Sequence, residues 1–516
     1  MASKLFYFVD DDPETAKTVP VDFGRKLDDL KRAVALQLHT AVPQGLSFHA
    51  SEADHNNLTT LKDVFSVPGP VPVRVSGFAV RNPQGPEGLP LVGSFYQVNY
   101  LTNDPDVALV ALGESQYFTK KINEDRPLFG IKDNTAIFIG DTENENWRLA
   151  HKFLPPTLGP KAVRHYTPDM QQCVRSSFKV FDELDSRGES WNVYQYMVKL
   201  ASQTVGKFAF AKDMGQFDSV DTPVNPLVTN IVNMLALSKK VTARGEWYRN
   251  LPFGDSAKLK QVQRDVYHMI SETIESAPSS GIENMPLNEA ATRASCVADY
   301  LVNAVDKTDA HFPMPLVLSN MLVVTGAGYT TTSSLMSWLI YTIVTYPGVQ
   351  DKLLQELVDY NISEKTEWTP DHAHGLPYLD KFVKETQRLH NASFQPGRTT
   401  KTDVVVPGGY RILENSVMIP ALYAIHTSSD HWHDPYRFDP ERWDTDEVKK
   451  ERHRGSYLPF ATGPRGCIGF NFAEGTEAIQ YDPEFQLIRP LNLYVTAKRR
   501  TTYPAKSANV PVNIPF

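Results

Sequence analysis

Residues Phe460–Phe470 read FATGPRGCIGF, a single cysteine on a glycine-framed loop with an arginine two positions before it. A lone cysteine in such a loop is ordinarily a structural residue. Here Phe460, Gly463, Arg465, Cys467 and Gly469 bring together residue types suited to holding a thiolate. Backbone N–H groups and a positive neighbour stabilise the sulfur's charge. Glycines let the chain turn closely around it, and an aromatic ring shields it from water.

Composition sets the limits within which that loop is read. The 516 residues are 41% hydrophobic and 22% charged, ordinary for a globular protein. A formal charge of −8 argues against a nucleic-acid partner. Only Cys173, Cys296 and Cys467 are available, too few and too scattered for a disulfide framework. The start, MASKLFYFVDDDPETAKT, is acidic with no apolar run, so it reads as neither a signal peptide nor an anchor. The most apolar region, Leu316 to Tyr346, is interrupted by Ser319, Asn320, Thr325 and a threonine cluster, which predicts a buried helix rather than a bilayer span. The expected location is cytoplasmic, peripheral at most on the endoplasmic reticulum.

Organisation along the chain predicts two parts. KLFYFVDD (4–11), AKTVPVDF (16–23), GLSFHAS (45–51) and VPVRVSG (71–77) read as strands. Between the second and third lies RKLDDLKRAVALQLH (25–39), with Leu27, Leu30, Val34 and Leu38 on one helical face. This order resembles a ubiquitin-like β-grasp module over 1–78, a cap or a docking module for a protein partner. The segment RNPQGPEGLPLVG (81–93) reads as a hinge. Beyond it, helices are expected at 146–154, 258–275, 316–346 and 378–390, with short extended pieces between 399 and 420. The fold class is therefore mainly α with a minor β sheet, preceded by a small α+β domain.

Four motifs in order identify the second part, 79–516, as resembling the cytochrome P450 family. The loop fits that family's FxxGxRxCxG pattern. In KFVKETQRLH, Glu385 and Arg388 stand three apart, a spacing that alone marks a solvated surface pair. YRFDPERW downstream supplies Arg442, completing the family's Glu–Arg–Arg network, a structural role. NWRLAHKFL carries Trp147 and His151 at i and i+4, and FQPGRTTKTD carries Arg398. The resemblance gives all three, with Arg465, to haem propionates. In VVTGAGYTTTSS, Ala327, Gly328 and Thr331 match the segment covering the oxygen site. Without the other motifs, that stretch would read as a helix kink or close packing.

The resemblance implies haem b with its iron held by Cys467, and a monooxygenase that inserts one oxygen atom of O2 into an apolar substrate. Electrons come from NADPH through a separate cytochrome P450 reductase or similar partner. DTENENWRLAHKFLPPTLGP (141–160) resembles the soluble fatty-acid-hydroxylase branch, so a fatty acid or secondary metabolite is the expected substrate. One departure concerns chemistry: Thr330 stands before Thr331 where the family carries Asp or Glu, and a hydroxyl has no useful acidity at neutral pH. A reductase-independent enzyme that uses or rearranges hydroperoxides is the alternative. Two departures concern the fold. No first helix and strand pair is expected between the hinge and Asp104, and no amphipathic helix between Ala473 and Tyr481. A third reading follows from those gaps: a non-catalytic or defective haem protein or scaffold.

Overall fold

Two strands joined by an acidic turn open the chain: β1 (Ala2–Phe8) pairs antiparallel with β2 (Lys17–Val21). The computed structural model describes residues 2–82, 99–121, 136–392, 396–469 and 492–507, without the side chains of 373 and 374. Helix α1 (Leu27–Gln37) follows, its first turn tied down where the Asp29 carboxylate accepts from the Lys26 N–H at 3.1 Å. Strand β3 (Leu46–Phe48), helix α2 (Leu61–Ser66) and strand β4 (Val71–Val75) complete a four-stranded sheet in the order β2-β1-β4-β3, with β1 and β4 parallel. Leu30 and Val34 of α1 are buried with Phe6, Phe8, Val71 and Val73 of the sheet, so the apolar spacing read along the helix is the face that packs.

The body begins with β5 (Asn99–Thr102) and α3 (Pro105–Leu112), then β6 (Phe118–Thr119). Asp104 caps α3, its Oδ1 accepting from the N–H groups of Asp106 and Val107. One part of the expected gap is thereby corrected: β5 is a strand in that region and runs parallel to a strand near residue 418. The rest of that expectation, residues 83–98 with most of the hinge, lies outside the described residues, as does the segment between Ala473 and Tyr481.

Helices then dominate. In order come α4 (Glu145–Phe153), α5 (Pro155–Leu158), α6 (Pro160–Arg187), α7 (Val193–Phe210) after the two-residue β7 (Trp191–Asn192), and α8 (Pro226–Thr242). They continue through α9 (Glu246–Arg249), α10 (Gly254–Glu275), α11 (Leu287–Ala290), α12 (Val297–Asn303), α13 (Met314–Thr345) and α14 (Val349–Asp359). Last come α15 (Pro370–Gly375) and α16 (Pro377–Leu389). Strands β8 (Arg398–Thr400), β9 (Val404–Val406), β10 (Tyr410–Ile412) and β11 (Val417–Pro420) come next, then α17 (Leu422–His426) and β12 (Tyr494–Val495). β5, β11, β8 and β6 form one sheet, which places Arg398 on an inner strand. Among the described residues no helix is long and apolar enough to cross a membrane.

α13 carries no charged residue in its 32 positions, yet many of its buried side chains are hydroxyls. Thr325, Thr330, Ser337 and Thr342 each donate to the carbonyl four residues back. This satisfies the hydroxyls inside their own helix, so burying them costs little.

The N-terminal sheet is welded to the β9–β10 hairpin by backbone bonds. Val405 N–H donates to His39 O at 3.0 Å, and Ala41 N–H to Val405 O at 3.1 Å. Arg81 N–H donates to Gly409 O, and Arg411 N–H returns to Arg81 O. Gly409 sits at φ +77°, and a Cβ there would lie 2.7 Å from Ala79 O, so the close approach requires glycine. Val405 joins the apolar core of the first sheet, and Arg411 pairs with Asp11 at 2.6 Å.

His426, at the end of α17, fixes the segment leading to the cysteine loop: its Nε2 accepts from Leu458 N–H at 2.8 Å. Burial, and then the Arg388 cation, push its pKa down to about 3, so it folds neutral. Unfolded, it takes a proton near pH 6.5. Stability is therefore full above that pH and falls as pH drops from about 6.5 towards 3. We expect His426 to account for a loss of about 2 kcal/mol between pH 7 and pH 5. Urea unfolding at the two pH values should show that drop in the native chain, and a drop smaller by that amount in H426Q.

Candidate functional site

The site rests on one buried carboxylate. Glu385 on α16 is fully buried, and its two oxygens take Nε and Nη2 of Arg388, both at 2.9 Å. Arg442 Nε adds a third bond at 2.9 Å, Asp439 N–H a fourth at 3.0 Å, and Trp443 Nε1 a fifth at 3.1 Å. The two guanidinium groups turn their remaining N–H donors onto carbonyls of His426, His433, Asp434, Pro435 and Arg437. A helical pair and one distant arginine thus clamp the irregular stretch that leads to the cysteine loop.

The loop itself is shaped by its glycines. Gly463 has φ +76°, and a Cβ there would sit 2.2 Å from Leu112 O at the end of α3. Cys467 N–H donates to Phe460 O at 3.0 Å and Gly466 N–H to Gly463 O at 2.9 Å, closing the turn. The Cys467 side chain is exposed, although protein crowded around the sulfur pushes its thiol pKa up. A hydrogen bond from Gly469 N–H works in the opposite direction and favours the thiolate.

Arg465 ties this loop to the body. Its Nη1 donates to Ile137 O at 2.7 Å, Nη2 to Gly140 O at 2.6 Å and Nε to Thr142 Oγ1 at 3.0 Å. Its guanidinium also stacks on the Trp147 ring at 4.3 Å. Burial pushes its pKa down to about 10, with Glu114 holding it up. The same 137–142 loop reaches α13, where Ile137 N–H donates to Asn320 Oδ1 at 2.9 Å.

Trp147 and His151 do lie one helical turn apart, with rings 4.7 Å apart; Trp147 is buried and His151 exposed. Among the described residues, Trp147 Nε1 is buried with no acceptor, and so is Nη2 of Arg398. Arg398 has Nε 2.7 Å from an oxygen of Glu114, and both side chains are buried. Glu114 Oε1 is also 4.0 Å from Arg465 Nε, and neither of its oxygens accepts a well-aligned hydrogen bond. Sequence reading did not single out Glu114. Its partners lie some hundreds of positions away, and only the fold brings them together.

On α13, Ala327 is exposed and Thr331 half-buried on the same face, the Thr331 hydroxyl donating to Ala327 O at 2.7 Å. Thr330 is separated from them: it is buried and its hydroxyl donates to Gly326 O at 2.6 Å. Gly328 lies against α7, where a Cβ would come 3.0 Å from a methyl of Val205. Its small size therefore serves helix packing.

These residues fit a haem. Two buried N–H donors lacking acceptors suit a ligand with carboxylates, and an exposed sulfur with a backbone N–H aimed at it suits a thiolate bound to iron. Arg398, Arg465, Trp147 and His151 would hold the carboxylates, and Cys467 would hold the metal.

Comparison with known proteins agrees. A family model described as Cytochrome P450 matches residues 91–476. The chain is 39% identical to cytochrome P450 monooxygenase alnD of Emericella nidulans, over 98% of this chain and all of that one. It is 26% identical to thromboxane-A synthase of Sus scrofa, covering 71% of this chain and 73% of that one. Among solved structures, the cytochrome P450DA heme domain superposes with a TM-score of 0.62 at 20% identity, covering 72% of this chain and 77% of the other. A cytochrome P450, CYP102L1, gives 0.65 at 18% identity, covering 76% and 91%. At such identities the structural likeness speaks for the fold alone.

Two substitutions test this architecture. Glu385→Gln leaves two buried guanidinium charges uncompensated and should cost about 3–5 kcal/mol; a urea midpoint within error of the native one would contradict it. Gly463→Ala places a methyl against Leu112 O at a positive φ, and should prevent the loop from closing. The haem content of the purified variant, by absorbance, should fall to a small fraction of the native value.

Proposed function

Since the chain belongs to the cytochrome P450 family, we propose that it acts as a monooxygenase on an apolar organic substrate through a haem held by Cys467. The observation that carries this reading is the Cys467 loop, with its sulfur exposed and a backbone N–H directed at it. When bound, haem b supplies the activation of dioxygen, with two electrons from NADPH delivered by a separate reductase. The chain's own residues do the rest. Arg465 holds the cysteine loop against the 137–142 loop, and Trp147 and Arg398 offer donors to the propionates. α13, without a charge along its length, favours an apolar ligand beside Ala327 and Thr331. A long-chain fatty acid is the substrate class we propose, on the likeness of the 141–160 segment to fatty-acid hydroxylases.

Thr331 is the side chain we assign to proton handling. Its hydroxyl proton lies on Ala327 O, so passing it to a ligand requires the O–H to turn away from that carbonyl. Thr330 cannot assist from its buried position on Gly326 O, and no carboxylate belongs to α13. That arrangement favours a second reading, in which an organic hydroperoxide replaces O2 and the reductase.

We further propose that residues 1–78 are a ubiquitin-like β-grasp module that recognises a protein partner, and that 79–516 form the haem domain. The sheet order β2-β1-β4-β3 with a parallel central pair supports the first part. The alignment to the alnD protein runs over 557 positions, more than the 516 residues here, so that relative carries stretches without a counterpart in this chain. This supports the reading that this chain lacks segments present in that relative.

Reduction of the purified chain under carbon monoxide is the decisive assay. The red-shifted Soret band of thiolate-ligated iron is expected, and Cys467→Ser should abolish it. Its absence from the native chain would favour a haem-free scaffold. Product formation with NADPH and reductase, against formation with an organic hydroperoxide alone, separates the two enzymatic readings.

A further inference from the structure

Glu114 is a buried acid among the side chains that await the haem carboxylates. It follows Gly113 at the end of α3, with φ +48°, a left-handed conformation unusual for glutamate. That turn brings its carboxylate inward to Arg398, Nε to Oε1 2.7 Å, and to 4.0 Å from Arg465 Nε. Each of these arginines is also oriented from its far side. Arg398 Nη1 donates to Gly397 O at 3.1 Å, and Arg465 is held on the 137–142 loop. The remaining Arg398 nitrogen, Nη2, is buried and has no partner among the described residues. One guanidinium therefore has one edge on Glu114 and another free for a second acceptor.

We propose that Glu114 is a positioning residue for the haem propionates, balancing the charge of Arg398 and Arg465 before the cofactor arrives and sharing those cations with the propionates afterwards. This inference rests on the haem reading above. Two cations near one fixed carboxylate carry a net charge of about +1, which one propionate neutralises; without Glu114 it is about +2 and calls for both. An uncompensated buried arginine is a large penalty, so the chain without Glu114 needs a carboxylate-bearing porphyrin to restore the balance. Glu114 thus weakens the preference for a charged porphyrin while it keeps the empty site folded.

The test compares haem with haem dimethyl ester, whose propionates are uncharged, in the native full-length chain and in Glu114→Gln. Retention is measured by transfer of each porphyrin to excess apomyoglobin. In the variant, the ratio of haem retention to ester retention should rise tenfold or more. Its thermal midpoint should fall by several degrees without haem and recover when haem is added. Glu114→Asp withdraws the carboxylate by one methylene and should move both readouts in the same direction by less. A ratio unchanged, or shifted towards the ester, overturns the proposal. So does failure of both variants to fold with excess haem, because propionates must replace the lost charge. A native chain that takes up neither porphyrin instead overturns the haem reading itself.

Discussion

One carboxylate, that of Glu385, is shared by two guanidinium groups in a space that water does not reach. Neither arginine could be buried alone, because an unpaired charge in the interior costs more than any packing around it returns. Once paired, the arginines act as multi-toothed clamps, gathering carbonyls from an irregular stretch that no helix or sheet would organise. The cysteine loop begins where this clamp ends. The orientation of Cys467 therefore depends on an interaction that never touches it.

A second chain of contacts runs from the loop upward. Arg465 takes the 137–142 carbonyls, that loop takes Asn320, and Asn320 belongs to α13, whose Ala327 and Thr331 sit about two and three turns further on. The cysteine side and the helix opposite are thus linked through polar bonds rather than by apolar packing alone. Hydrogen bonds have direction, so such a linkage fixes angles as well as distance. The distal helix can then be rich in hydroxyls without becoming loose, since Thr325, Thr330, Thr331, Ser337 and Thr342 each bond within their own helix.

Much of this was readable in the sequence because the chemistry there is local. Glu385 and Arg388 share a helical turn, Trp147 and His151 another, and the cysteine loop is one uninterrupted run. The first sheet was readable for the same reason: its strands alternate or cluster apolar residues between short turns, and α1 shows its buried face in its spacing. What could not be read depends on contacts between distant segments. Glu114 looks like any acid after a helix, and only the turn at φ +48° reveals its direction. Thr330 and Thr331 are adjacent and chemically identical, yet one is buried against the bundle and the other is not. Gly328 admits a methyl of Val205, a matter of which neighbour α13 meets.

The seam between the first sheet and the β9–β10 hairpin has a consequence for how the chain can change over generations. Most of its bonds run from backbone to backbone, through His39, Ala41, Arg81, Val405, Gly409 and Arg411. A backbone amide is the same whichever side chain it carries. Selection can therefore rewrite the surfaces on either side of the seam while the union persists, provided that the glycine at the crossing is kept. Two parts of a chain joined in this way inherit their attachment from chain geometry, and the outer surface of each remains free to diverge.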